Sequence, residues 1–320
     1  MNHYGWTIRR NMNHAVAILM LVLLAVTGVG CKTFPWAKYP PPMPQPRLLP
    51  PSPTLEQVIE VVNRNNSRIQ SFSSSRASID GPGFPSLRAG VAFERPRRLR
   101  LRAETGLTGA EFDLGSNDEL FWFWVRRNQP PAVYYCRHDR IGASEALRTM
   151  PIDPEWLIEA LGVAELDPAL PHQGPSPLSN DRLRIDTIRN TPEGPMTKIT
   201  IIDGSQGWIL EQHLFDAQRR LLASSVAGGH RRDPLSGLVM PTVVRINCPP
   251  AQTSMRINLG NVEINRLSGN TAALWSMPEY PGAPVVDLAD PNFQPPASSS
   301  QAAATSRRPM PQSNWRRPTR

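Results

Sequence analysis

On either side of a turn between residues 98 and 114 the chain alternates charged and apolar side chains with a period of two. In RLRLRA, Leu99, Leu101 and Ala103 share one face and Arg98, Arg100 and Arg102 the other, the repeat of a pleated strand. AEFDL continues it, with Ala110, Phe112 and Leu114 opposed to Glu111 and Asp113. A turn at Gly106-Leu107 predicts a hairpin that sets Arg102 against Glu111, Arg100 against Asp113, Leu101 against Phe112 and Leu99 against Leu114. On that register the arginine-dense run RPRRLRLR is the solvated face of a strand.

The alternation fails in ELFWFWV, where Phe121 and Phe123 interleave with Trp122 and Trp124. A strand apolar on both faces needs cover on both. Trp122 and Trp124 therefore lie under a helix, or they face a ligand or a protein partner. Further strands are legible in AVYYCRH, RLRIDTIR, MTKITII, GWILEQHLF, RLLASSVA, PTVVRINC and SMRINLGNVEI. PALPHQGPSPLSND, residues 168 to 181, reads as a long loop.

Two stretches have helical spacing. Thr54 and Gln57 form a capping box ahead of Leu55, Val58, Ile59 and Val62. In MPIDPEWLIEALGV, Asp153 caps, Pro154 takes the first turn and Gly162 stops the helix. The sum is a long antiparallel meander with two or three helices, an α+β domain over residues 54–282.

The ends have a different character. Arg9 and Arg10 precede an apolar run from Ala15 to Val26 and the small residues before Cys31. That is the layout of a secretory signal over residues 1–30, too short for a comfortable membrane span. Val29-Gly30-Cys31 resembles a bacterial lipobox, with Gly28 where Leu is usual. The resemblance implies that the Cys31 thiol is acylated and becomes the new amino terminus; ordinary cleavage would leave a free thiol. Lys32 in the next position implies the periplasmic face of the outer membrane.

Residues 31–53 are proline-rich and favour polyproline II, a spacer reaching on the order of 60 Å at about 3.1 Å per residue. Residues 283–320, rich in Pro, Ala, Ser and Arg, read as a disordered basic tail.

The net charge of +8 resides in these ends: residues 54–282 hold 25 basic and 25 acidic side chains. No nucleic-acid-binding domain is expected from such a balance. The HExxH, GxSxG, P-loop and dinucleotide motifs are missing and the histidines are isolated, so neither enzyme chemistry, metal nor cofactor is expected. Cys136 and Cys248 are either a disulfide or two buried thiols.

The capped helix entering IDGPGFPSLRAGVAFERPRRLRLRAETGLTGAEFDLGSNDELFWFWV, with Arg95-Pro96 between two strands, resembles the LolA/LolB-like lipoprotein carriers and the related RseB-type periplasmic sensor domain. The resemblance implies a curved, incomplete barrel of about eleven strands, its mouth closed by helices over an apolar cavity for acyl chains. The partners so implied are lipid or an acylated protein, with the membrane reached through the anchor. The inward candidates are Val91, Phe93, Leu99, Leu101, Phe112, Leu114, Phe121 and Phe123, with Trp156, Leu157 and Leu161 on the covering helix. The same residues would make an ordinary filled core in an envelope adaptor that binds a protein partner.

Overall fold

The computed structural model describes residues 46–293 except 83, 130, 145–146, 148–153 and 192–193. The signal segment, Cys31, most of the spacer, the Asp153 cap and the tail beyond 293 lie outside the described residues.

Helix α1 (Leu55–Asn66) starts on the expected box: Gln57 N–H donates to Thr54 Oγ1 at 3.3 Å and Thr54 N–H donates to Gln57 Oε1 at 2.9 Å. Its Val58, Val61 and Val62 bury against the sheet.

Strands β1 (Ser71–Gly81), β2 (Phe84–Glu94), β3 (Arg98–Thr105), β4 (Gly109–Ser116), β5 (Leu120–Val125) and β6 (Val133–Arg137) form a meander. After the covering segment come β7 (His172–Leu178), β8 (Arg182–Thr191), β9 (Gly194–Asp203), β10 (Ile209–Phe215), β11 (Leu221–Gly228), β12 (Arg231–Arg232), β13 (Val239–Met240), β14 (Val243–Cys248), β15 (Thr253–Asn258), β16 (Glu263–Ile264) and β17 (Val285–Asp287). Strands β12 and β13 pair with each other; the others form one curved sheet of order β17-β6-β5-β4-β3-β2-β1-β15-β14-β11-β10-β9-β8-β7, with β16 also on β1. It is antiparallel except where β17 meets β6, and its ends do not join. Its fifteen strands exceed the eleven expected. One reason is β7, hidden in the sequence by Pro175 and Pro177. An edge strand tolerates proline because one row of its N–H groups needs no partner.

The expected hairpin forms with a corrected register. Leu101 faces Leu114, Arg102 faces Asp113 and Ala103 faces Phe112, a slip of two residues that keeps these side chains on their anticipated faces, whereas Ala110, expected beside Phe112, pairs with Glu104 and joins Trp122 and Trp124 on the other face. The loop spans Gly106 to Thr108 and ends at Gly109, whose φ of 77° suits glycine. Glu111 is then squeezed out as a bulge between Ala110 and Phe112.

The covering segment is α2 (Pro154–Ile158), continued by a single π turn from Glu159 to Val163. Gly162 sits in it at φ 113°, and a Cβ there would approach Pro241 Cδ to 2.5 Å. Leu157, Leu161 and Val163 pack on the concave face with Val91, Phe93, Leu99 and Leu101.

Both expected boundaries shift outward. Leu49, assigned to the spacer, is 1% exposed and joins Val58, Leu183 and Ile202. Arg47 binds Asp181 at 2.7 Å and the Gly204 carbonyl at 2.7 Å. At the other end, β17 and the buried Leu288 belong to the packed region, past the expected limit at 282.

Residues 265–283 form a strap across the convex face, and this corrects the reading of the arginine strand as wholly solvated. Arg102 is exposed, but Arg98 pairs with Glu94 and Asp118, and Arg100 is half-buried, bonded to Asp113 at 2.6 Å and to the strap carbonyls of Leu274 and Ser276.

Candidate functional site

The sequence candidates separate into three groups. Val91, Leu99, Leu101, Leu114, Leu157 and Leu161 are buried in the main core, with Phe112 and Phe123 packed at its margin. Phe121 belongs to a separate cluster with Cys136 and Leu288. Phe93 and Trp156 also belong to the main core, both buried, and are the two of the eleven that border an open cleft. Leu157 and Leu161 of α2 and its π turn pack directly on these side chains.

Trp122 and Trp124 are both buried. Trp122 is fully buried beside Gly115, whose missing Cβ makes room for the indole, with the Arg100 guanidinium 5.2 Å from its ring centre. Trp124 is covered by Tyr280, and the strap's Met277 and Ala283 complete the cluster. The second cover demanded by an apolar face is neither helix nor ligand but the chain itself.

The cleft has a volume of about 510 Å³ and lies where the covering segment meets the β2–β3 connection and strands β8 to β10. Such a volume is in the range of small-molecule sites. Alternation builds one wall: Met196 and Lys198 of β9 share the concave face, and Lys198 faces Leu214 of β10. Trp156, Ile158 and Val163 come down from above and Phe93 from the sheet.

Around this apolar interior the covering segment is tied to the sheet by ion pairs. Glu155 meets Arg97 at 3.4 Å, Glu159 meets Lys198 at 2.5 Å, and Glu165, just beyond the π turn, meets Arg95 at 2.7 Å. Arg189, at the rim, is exposed and has no ion pair among the described residues.

Both ring nitrogens of His172 are engaged, Nδ1 with Thr187 Oγ1 and Nε2 with the Asp167 carbonyl, each at 2.8 Å. His138, in the turn just after β6, is lowered from its ordinary pKa chiefly by burial. No group of three His, Cys, Asp or Glu side chains among the described residues could hold a metal ion. Cys136 and Cys248 are both buried thiols. No described helix is long and apolar enough to cross a membrane.

Met196, Lys198, Arg189 and Leu214 were not among the sequence candidates. The alternation in MTKITII does mark Met196, Lys198 and Thr200 as one face, but nothing local says that this face meets Trp156.

No family model and no curated protein matches the sequence. Several solved structures do. A DUF1329 family protein from Desulfovibrio piger aligns with TM-score 0.45 and 12% identity over 68% of this chain and 98% of its own. A putative outer membrane lipoprotein-sorting protein domain from Vibrio parahaemolyticus aligns with TM-score 0.46 and 11% identity over 69% and 99%. A LolA superfamily protein from Nitrosomonas europaea aligns with TM-score 0.43 and 10% identity over 70% and 98%.

Proposed function

We propose that the protein is a non-enzymatic binding module of the cell envelope, whose cleft takes the acyl chain of a lipid or of an acylated protein. The observation that carries this reading is the cleft itself: an apolar interior that includes Trp156, Ile158, Val163, Met196 and Leu214, bordered by four cations and four carboxylates, with Arg189 in no ion pair among the described residues. Burying an alkyl chain there gains about 25 cal/mol per Å² of apolar surface, and Arg189 supplies a charge for an anionic head. No bond is made or broken in this reading; transport or sensing follows from the difference in burial between cleft and bilayer. In the same proposal Cys31 carries the lipid that anchors the chain, with the outer membrane's periplasmic face as its site.

A second reading, an envelope adaptor with a filled interior that binds a protein, is favoured by the complete burial of Leu99, Leu101 and Leu161. Titration of protein made without residues 1–31 with 11-(dansylamino)undecanoic acid separates the two. The binding module gives a saturable, blue-shifted signal that Met196→Glu weakens at least about tenfold, the equivalent of 1.4 kcal/mol. A linear, non-saturating response supports the adaptor.

A further inference from the structure

A second groove, of about 630 Å³, lies on the convex face, away from the acyl cleft. Its floor is unusually bare. Ser73 of β1 is set against Ala92 of β2, and one row along, Ser75 and Arg76 share a bulge opposite Gly90, which in turn faces Arg102 of β3. Arg76, Gly90 and Arg102 therefore form one cross-strand row. With strands about 4.8 Å apart, the two arginine backbones stand roughly 10 Å from each other with no side chain between them.

The two guanidiniums are exposed, and among the described residues neither has an ion pair or a side-chain hydrogen bond. Their neighbours behave differently: Arg98 and Arg100 on the same strand face are both paired with carboxylates. The remaining borders are Asn261 and Glu263 on one side and Leu274 of the strap on the other. Glu263 is the one acid in the lining.

Gly90 is not required by the backbone. Its φ is not in the left-handed region, and a Cβ built on it would meet nothing nearer than the Ser74 carbonyl at 4.0 Å. A glycine inside a strand costs roughly 0.5–1 kcal/mol relative to alanine and marks a bulge, a bend or the close approach of a ligand or another backbone; here it lies opposite the bulge at Ser75 and Arg76 and leaves the floor of the groove open.

We propose that this groove binds a phosphate group, seated over Gly90 and clamped by Arg76 and Arg102. A tetrahedral oxyanion presents oxygens to both walls and to the hydroxyls of Ser73 and Ser75 at once, and guanidinium forks match phosphate oxygens in pairs. The group belongs to a small solute or to a lipid headgroup, and both present the same chemistry to the groove.

The test uses inorganic phosphate, followed by calorimetry, and phosphatidylcholine vesicles with and without phosphatidylglycerol, followed by co-sedimentation, on protein made without residues 1–31. Wild type binds at least one of these probes, more weakly as salt rises. Arg76→Ala, Arg102→Ala and Gly90→Val each reduce binding at least about tenfold, with circular dichroism unchanged. Binding to free phosphate assigns the site to solutes, whereas binding only to vesicles containing phosphatidylglycerol assigns it to the headgroup. Failure to bind either probe, or equal binding by the three variants, overturns the proposal. Because the acyl cleft is untouched by these substitutions, dansyl fatty acid titration of the same variants reports on that site separately.

Discussion

Tyr280 lies flat on Trp124, with ring centres 3.8 Å apart and planes 6° from parallel, and its hydroxyl donates to Asp113 Oδ2 at 2.6 Å. A single strap residue thereby covers the Trp124 indole and bonds a fully buried carboxylate. Burial first, and the bond to Asp113 second, raise the Tyr280 phenol above its ordinary value.

Tyr280→Phe removes that hydrogen bond and is expected to cost about 1–3 kcal/mol. The pH dependence has a defined sign. The protonated phenol is the stabilised form, so its contribution is complete below about pH 10, the unfolded value, and is lost as pH rises through the folded one. Urea midpoints of wild type should therefore fall in alkali, and those of Tyr280→Phe should fall less.

Leu49 packs as a core residue although it lies in a proline-rich stretch. Leu49→Ala is expected to destabilise by about 2–5 kcal/mol, whereas Asp181→Asn, which breaks only the exposed pair with Arg47, leaves the urea midpoint nearly unchanged. Denaturation of the two variants side by side tests where the folded unit begins.

Burial pushes the Cys136 thiol up to about 11 and raises Cys248 as well. Protein made without residues 1–31 should give almost no reaction with Ellman's reagent when native, and two thiols once unfolded in guanidinium. Two native equivalents at once, or none after unfolding, would contradict the packing described.

Gly162→Ala strains a backbone at φ 113° and drives a methyl toward Pro241. The expected cost is about 1–3 kcal/mol, accompanied by weaker dansyl fatty acid binding, because the π turn that carries Val163 into the cleft can no longer seat. Equal loss of stability with unchanged binding would detach the covering segment from the site.

The alternation of Arg98, Leu99, Arg100 and Leu101 was enough to read a strand and to say which side chains face inward. Register was not legible, since it depends on a three-residue loop and a bulge at Glu111 that the pattern does not encode. The strap escaped notice for a different reason: residues 265–283 have no periodicity, and their anchors, such as Tyr280 on Asp113, join positions 167 residues apart. The same holds for the cleft. Phe93 and Trp156 stood out as inward aromatics, but Met196, Lys198 and Leu214 become a wall only when β8 to β10 curve under α2. Pro175 and Pro177 disguised β7 as a loop because their cost vanishes at a sheet edge.

Native mass spectrometry of protein made without residues 1–31 and purified without detergent tests the binding reading most directly. A retained species heavier by the mass of one acyl lipid is expected, removed by organic extraction and missing from Met196→Glu. Bare wild-type protein that also takes up no fatty acid on incubation would contradict it.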